Sequence, residues 1–252
     1  MKAINRRRLL LGTIYTLALL IFFSPLYMYF SEDVGDLEKM YPTNVREGSE
    51  DPEYKLKKER PSNWVNLNQI SSYGKWAIIL SEDWAFYDHE GIDIAQMKTA
   101  LNDMMSSTRF RGASTITQQM VKNVFLSDSI TFWRKFHEII LAQKVEKVLT
   151  KQRILEVYLN VIEYGPSIYG IKKASWHYFK KSPSQLTARE AAFLAMLLPS
   201  PKKYYVSFKN KQLTKFAQLR IKAILTKLRM AKVITPDQYS YELSSRMSWE
   251  GY

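Results

Sequence analysis

The sequence of 252 residues contains no cysteine and only three histidines, His89, His137 and His177. Without cysteine there is no disulfide framework, no thiolate metal site and no cysteine nucleophile. The histidines are far apart and form no HExxH pattern, so a zinc site built from histidine is not expected. Glycine and proline are scarce, at 9 residues each. These absences exclude disulfide-stapled, zinc-dependent and low-complexity classes of protein.

One long uncharged segment lies near the N-terminus. Residues 9–30 contain no charged side chain, and at about 1.5 Å per residue such a helix crosses a hydrocarbon core of about 30 Å. Lys2 and three arginines precede the segment, whereas four acidic residues follow it. The positive-inside rule then predicts a cytoplasmic tail (1–8), a single transmembrane anchor in the plasma (inner) membrane, and a folded domain on the periplasmic or extracellular face. A cleaved signal peptide is the alternative, but the segment is long and lacks a small-residue cleavage site.

The formal net charge is +13. With the folded domain outside the cell, nucleic acid is not an expected partner. Residues 202–232 contain ten lysines and arginines and no acidic residue. Two interpretations remain open, a solvated helix face that packs on the core or a surface that holds the domain against anionic lipid. The apolar positions at roughly helical spacing are Phe216, Leu219, Ile224, Leu225 and Leu228.

The rest of the chain divides into a linker, a domain and a tail. Residues 31–60 are polar and read as a linker, residues 61–235 as the folded domain, and residues 236–252 as a C-terminal tail. Within the domain, helices are predicted at 134–149, 151–162 and 187–198, and no alternating run is long enough for a substantial sheet. The sequence therefore predicts a mainly α-helical fold.

The segment from Glu82 to Asp93 is rich in acidic residues, with four further carboxylates after Glu82. Taken alone, such a segment is more typical of a solvated loop than of a catalytic site. Asp93 is also predicted to cap a following helix, whose apolar positions include Met97, Leu101, Met104 and Met105. With Phe110 they suggest an apolar patch that dips into a bilayer, and packing in the core is the alternative.

A second segment, residues 111–123, combines a turn with a helix start. Gly112 permits a tight turn, and Thr115 with Gln118 fits a capping box. Helix N-termini bind anions, and Gln119, Lys122 and Asn123 follow on the next turns. This arrangement favours a phosphate-rich ligand, with an ordinary capped polar helix as the alternative.

A third segment places charges of both signs on one predicted helix. Arg134 and Glu138 are four residues apart and therefore share a face, with Lys135 beside them. The segment predicts either a surface ion pair or a cationic cluster beside a second functional carboxylate.

Together these segments resemble the monofunctional biosynthetic peptidoglycan glycosyltransferases, the family that also supplies the glycosyltransferase domain of bifunctional penicillin-binding proteins. The resemblance runs from about Trp64 to about Lys232 and follows the family's five motifs in order. The motif residues are Glu82-Asp83, Phe86, His89, Gly91 and Asp93; Gly112, Ser114 to Gln119, Lys122 and Asn123; Arg134-Lys135, Glu138, Ala142 and Glu146; Lys151, Ile154 to Glu156, Tyr158 to Asn160, Gly165 and Gly170; and Leu186, Glu190 to Ala192, Pro199 and Tyr204.

The resemblance implies a lysozyme-like, two-lobed, mainly α glycosyltransferase domain with an N-terminal transmembrane helix. It implies an inverting enzyme that polymerises lipid II into glycan strands, with release of undecaprenyl pyrophosphate. Glu82 would be the general base, and Glu138 would bind a divalent cation, Mg²⁺ or Mn²⁺, or orient the cationic cluster. No organic cofactor is implied. The implied substrate-binding residues are Asp83, Phe86, His89, Ser114, Thr115, Gln118, Gln119, Lys122, Asn123, Arg134 and Lys135.

The implied partners are lipid II, the growing lipid-linked strand, the membrane and the cell-wall synthesis machinery. The fourth motif departs from the family pattern, with Pro166-Ser167 and Lys172 to Ser175 where relatives often have a glycine-rich turn, an acidic residue and alanines. A lysozyme-like hydrolase and a non-catalytic scaffold are the competing classes. A penicillin-sensitive transpeptidase is not expected, because no KTG follows the S-x-x-K pattern at Ser200.

Overall fold

The computed structural model describes residues 8, 10–16, 33–46, 52–105, 112, 114–126 and 132–251. Residues 10–16 are helical. The rest of the predicted anchor and most of the predicted cytoplasmic tail lie outside the described residues. Within the described ranges, no helix combines the length and the apolar character that crossing a membrane requires.

The described chain is mainly helical, as the sequence predicts. Two short antiparallel pairs of strands are present, β1 (Tyr41–Asn44) with β2 (Tyr54–Lys57) and β3 (Glu163–Gly165) with β4 (Ile168–Tyr169). The helices are α1 (Ser72–Glu82), α2 (Ile94–Met105), α3 (Ile116–Phe125), α4 (Phe132–Val148), α5 (Lys151–Val161), α6 (Ile171–Phe179), α7 (Ala188–Leu197), α8 (Pro201–Tyr204), α9 (Val206–Lys209), α10 (Lys215–Met230) and α11 (Pro236–Ser244).

Local signals in the sequence set several of these helix starts. Asp93 Oδ1 accepts a hydrogen bond from the Gln96 N–H at 2.8 Å, so it caps α2 as predicted. The three helices predicted at 134–149, 151–162 and 187–198 correspond to α4, α5 and α7, with ends that differ by no more than two residues. The lysozyme-like, two-lobed arrangement stays a prediction.

Helix α7 lies at the centre of one helical group. Its sequence is apolar on nearly every side, because alanine, leucine, phenylalanine and methionine fill all but two of its positions, and nine of its ten residues are buried. Helices α1, α10 and α11 pack around it. A helix that is hydrophobic all round is expected in the interior.

Helices α3, α4 and α5 form the second group and pack on one another. Gly91 joins this group to the loop after α1, with φ of +84° and with the Ala142 carbonyl close by. A Cβ at this position would stand 2.9 Å from the Ala142 oxygen, so only glycine allows this approach without a shift.

The described part of the predicted linker is folded against the domain, which corrects the expectation of a separate stalk at 31–60. Val34 and Leu37 are fully buried. The Arg153 guanidinium donates to the carbonyls of Leu37 and Met40, each at 2.8 Å. The Tyr54 hydroxyl donates to the Val161 carbonyl at 2.8 Å. The segment looks polar by composition because its few apolar residues are separated by charged ones.

The predicted C-terminal tail also belongs to the fold as far as residue 251. Helix α11 packs on α10 and α7, and Met247 is buried. The buried Glu242 carboxylate accepts a hydrogen bond from the Arg189 N–H at 3.0 Å. The packed domain therefore begins before residue 61 and continues beyond residue 235.

Candidate active site

Glu82 is the last residue of α1 and is partly buried. The Gln119 Nε2 amide of α3 donates to Glu82 Oε2 at 3.2 Å, and the Tyr158 hydroxyl of α5 donates to Gln119 Oε1 at 2.9 Å. Because the Tyr158 hydroxyl hydrogen takes the amide oxygen, the amide NH₂ group is directed at Glu82. Burial raises the pKa of Glu82, so its carboxylate accepts a proton more readily than a solvated glutamate does.

Two basic residues of α10 act on the same carboxylate. Arg220 and Lys227 lower the pKa of Glu82, although by less than burial raises it. Lys227 Nζ also donates to the Leu80 carbonyl at 2.5 Å, because α10 packs on α1. Neither residue belongs to the five motifs in the sequence. The only signal was the basic segment 202–232, which does not show that α10 lies beside Glu82.

Asp83 is bound inside the protein. Its side chain has no exposed surface, Oδ2 accepts the Ile116 N–H at 2.9 Å, and Oδ1 lies 2.9 Å from His89 Nε2. Asp83 therefore supplies the anion that the N-terminus of α3 favours. The N–H groups of Ile116 and Gln118 already have protein acceptors, and the binding of a phosphate at this helix start stays a prediction.

The predicted capping box at the start of α3 is confirmed. Thr115 Oγ1 accepts from the Gln118 N–H at 3.2 Å, and Gln118 Oε1 accepts from the Thr115 N–H at 3.0 Å. Thr115 Oγ1 also donates to the Gly91 carbonyl at 2.7 Å. Both side chains are buried, and they fix the loop after α1 against α3.

Phe86 and His89 also lie among residues that hold the loop after α1 in place. Phe86 is fully buried, and the Lys151 ammonium lies 4.6 Å from its ring centroid. Lys151 Nζ donates to the His89 carbonyl at 2.6 Å and to Glu146 Oε1 at 2.8 Å. A motif gives the identity of these residues but not their direction. In the structure they position the loop that carries Glu82 and Asp83, and the contact with substrate that the resemblance implies stays a prediction.

The second predicted carboxylate, Glu138, has cationic partners. It is 3% exposed. Arg134 Nη1 lies 3.0 Å from Glu138 Oε2, and Lys135 Nζ pairs with Oε1. The prediction that Arg134 and Glu138 share one helix face is confirmed. The Lys135 side chain is 43% exposed, which leaves its ammonium accessible to a ligand.

The start of α3 brings the two carboxylates into one region. Lys135 Nζ, which pairs with Glu138, also donates to Ser114 Oγ at 3.0 Å. Gln119, on the first turns of the same helix, contacts Glu82. Lys122 and Asn123 follow on the next turn, both partly buried, and the Asn123 amide donates to the Gln119 carbonyl at 2.7 Å. Glu82 and the cationic cluster thus border the same short segment.

Residues in the described ranges surround Glu138 with cationic side chains and not with further carboxylates. No three His, Asp or Glu side chains among them are grouped as a metal site requires. Both Glu138 oxygens already pair with cationic side chains, which compete with a metal ion for the same lone pairs. The divalent cation therefore stays a prediction, and the proposed reaction does not depend on one.

The predicted apolar patch on α2 is described only in part. Met97 is exposed, as is the neighbouring Ile94. The side chains of Leu101, Met104 and Met105, and the whole of Phe110, lie outside the described residues. The patch stays a prediction.

Comparison with known proteins gives consistent matches. Residues 49–229 match the family described as Transglycosylase. A protein of Bordetella pertussis named biosynthetic peptidoglycan transglycosylase is 37% identical over 216 residues, which cover 84% of this chain and 86% of that protein. A protein of the same name from Shewanella amazonensis is 45% identical over 144 residues, or 57% of this chain and 59% of that protein.

One similar solved structure is penicillin-binding protein 1A from Haemophilus influenzae. It is 32% identical and has a TM-score of 0.34, over 38% of this chain and 14% of that one. This overlap is too small to compare the folds.

Proposed function

Since this chain belongs to the transglycosylase family, it is a peptidoglycan glycosyltransferase that polymerises lipid II into glycan strands in bacterial cell wall synthesis, and we propose that Glu82 is its general base. The observation that carries this assignment is the surroundings of Glu82. The carboxylate is partly buried, receives neutral hydrogen bonds from Gln119 and Ser81, and has a raised pKa. A general base works best when its pKa approaches the working pH.

In the proposed reaction, Glu82 takes the proton of the 4-hydroxyl of the acceptor sugar. The hydroxyl oxygen then forms a bond to the anomeric carbon at the lipid-linked end of the growing strand. The bond between that carbon and the pyrophosphate oxygen breaks, and undecaprenyl pyrophosphate leaves with the electron pair. Direct displacement inverts the anomeric configuration, as in inverting glycosidases.

The leaving pyrophosphate needs cations more than it needs a proton, because it is already a stable anion. Lys135 and Arg134 supply positive charge beside Ser114, and Lys122 lies farther along α3. Glu138 holds Arg134 and Lys135 in position through its two oxygens. We assign Glu138 as a positioning residue for this cluster.

The location proposed for the enzyme is the plasma membrane. The uncharged run at 9–30 and the basic residues before it support a single-pass anchor with a cytoplasmic N-terminus. The substrate is held in the same membrane by its lipid, so anchoring raises the effective concentration of enzyme and substrate. The growing lipid-linked strand and the cell-wall synthesis machinery are the further proposed partners.

The test is conversion of lipid II by the full-length protein in detergent, beside the Glu82→Gln variant. Loss of a general base is expected to lower the turnover by about 10²- to 10⁴-fold. Binding of a fluorescent lipid II analogue, measured by anisotropy, should stay within about twofold of wild type, because the amide has nearly the same shape. A variant that polymerises at the wild-type rate would show that Glu82 is not the base. Shortened glycans without consumption of lipid II would instead indicate a hydrolase.

A further inference from the structure

Helix α10 presents three different faces. One face is buried against α1 and α7 and consists of Ala217, Ile221, Ile224, Leu225 and Leu228. A second face carries Arg220 and Lys227, which act on Glu82. The third face points outward and is apolar. Its three large side chains are Phe216, Leu219 and Met230, which are 43%, 61% and 74% exposed.

The outward apolar residues share one side of the helix. At 3.6 residues per turn, Phe216, Leu219, Ala223 and Met230 fall within an arc of about 60°, and at 1.5 Å per residue the stripe is about 21 Å long. Phe216 is held in place by Tyr204, whose ring stacks on it with 4.6 Å between centroids. We call these four residues the α10 stripe.

Basic residues lie on both sides of the α10 stripe. Arg220 and Lys227 flank it on the side of the cleft, and Lys215, Lys222 and Arg229 flank it on the other side. No acidic residue occurs anywhere in 202–232. Any partner that covers the stripe therefore meets positive charge on both edges, so the partner must be apolar in the middle and anionic around it.

Packing explains only part of the basic segment. Single exposed apolar side chains are normal on a soluble surface. The α10 stripe differs because four of them are aligned along the whole helix. A narrow apolar face with lysine and arginine at its borders is the pattern of a helix that lies in the plane of a membrane interface, and anionic lipid strengthens such binding. The inner face of α10 packs on the core, so the outer face is free to make this contact.

We propose that the α10 stripe inserts into the interface of an anionic bilayer, as a contact separate from the N-terminal segment. Docking would also position Glu82, because the neighbouring face of α10 lies beside it. Because Arg220 and Lys227 lie beside Glu82, docking of α10 brings the carboxylate to the surface in which a lipid-linked substrate is held. The role given to this membrane contact rests on the proposed function, whereas the contact itself can be measured independently.

The absence of cysteine from the chain makes a local measurement simple. Leu219→Cys in the full-length protein is labelled with the environment-sensitive dye NBD and reconstituted into vesicles of phosphatidylcholine alone or with phosphatidylglycerol. The control is Gln152→Cys with the same label, at an exposed position on α5. A local probe is needed because an N-terminal anchor would hold the protein on both kinds of vesicle.

In anionic vesicles, the label at 219 is expected to shift to shorter wavelength and to be quenched by nitroxide lipids, whereas the label at 152 should not respond. Adding Lys215→Gln, Lys222→Gln and Arg229→Gln should weaken docking by about fivefold for each residue removed. If the label at 219 behaves like the label at 152 in every vesicle, the proposal is wrong. Polymerisation of lipid II in detergent by unlabelled protein tests the proposed function separately, so the two failures are distinguishable.

Discussion

Glu82 and Glu138 are two carboxylates beside the same helix start, yet their partners differ in charge. Glu82 receives a neutral amide from Gln119, and burial raises its pKa. Glu138 is paired with the guanidinium of Arg134 and the ammonium of Lys135. Under the proposed function, the type of partner, and not the carboxylate itself, separates the general base from the residue that holds cations in place.

The largest test of this comparison removes each charge in turn. Glu82→Gln should lower the turnover by about 10²- to 10⁴-fold and yet raise the free energy of unfolding at neutral pH, because a partly buried charge is removed. Glu138→Gln should lower the free energy of unfolding by about 1–2 kcal/mol, because two cations lose an anionic partner. Urea unfolding in detergent and the rate of lipid II conversion check both. If both variants change stability in the same direction, the comparison fails.

The free energy of unfolding should also depend on pH, and the raised pKa of Glu82 fixes the direction of this dependence. The pKa of Glu82 is higher in the folded state than in the unfolded state. The favourable contribution of its protonated form is therefore complete below the unfolded pKa and is lost as the pH rises through the folded pKa. As the pH rises from the unfolded pKa to the folded pKa of Glu82, the free energy of unfolding of wild type should fall relative to that of the Glu82→Gln variant. Equal pH profiles for the two proteins would contradict the raised pKa.

A second test gives Glu82 the kind of partner that Glu138 has. Gln119→Lys places an ammonium beside the carboxylate and should lower the Glu82 pKa, because an opposite charge favours the ionised form. Gln119→Met removes the donor and should raise that pKa. The acidic limb of the pH–rate profile should therefore move to lower pH in the first variant and to higher pH in the second. A shift of both variants in one direction would indicate a structural effect.

A smaller test removes the group that orients Gln119. Tyr158→Phe deletes the hydroxyl that donates to Gln119 Oε1 and leaves the ring in the core. Loss of one hydrogen bond of about 1 kcal/mol should reduce the turnover by about fivefold. The Michaelis constant should hardly change, because the Tyr158 side chain is fully buried. A rise in the Michaelis constant at unchanged turnover would argue against this positioning role.

The smallest effect concerns the cations of α10. Arg220→Gln should move the acidic limb of the pH–rate profile to higher pH by less than about one unit, because a cation that lowers the Glu82 pKa is removed. Lys222→Gln, on the same helix but facing away from Glu82, is the matched control and should leave the limb in place. Equal shifts in both variants would point to general charge on α10.

Much of the local structure follows from the sequence. The spacing of apolar residues predicted α4, α5 and α7, and the capping box at Thr115 and Gln118 marked the start of α3. These features depend on residues within one or two helical turns, which interact wherever the helix lies. Glu82, Glu138 and Gln119 were also selected from the sequence, through the resemblance of its motifs.

Other features depended on contacts between distant segments. Nothing local shows that Asp83 fills the N-terminus of α3, that Val34 and Leu37 enter the core, or that α10 brings Arg220 to Glu82. The direction of a side chain and the charge around it are set by the elements that pack against it. The sequence by itself determined the helices, their caps and the identity of the acidic and basic groups. The tertiary structure decided which of these groups are buried, which meet, and therefore that the pKa of Glu82 is raised, because burial and partner charge arise only from packing.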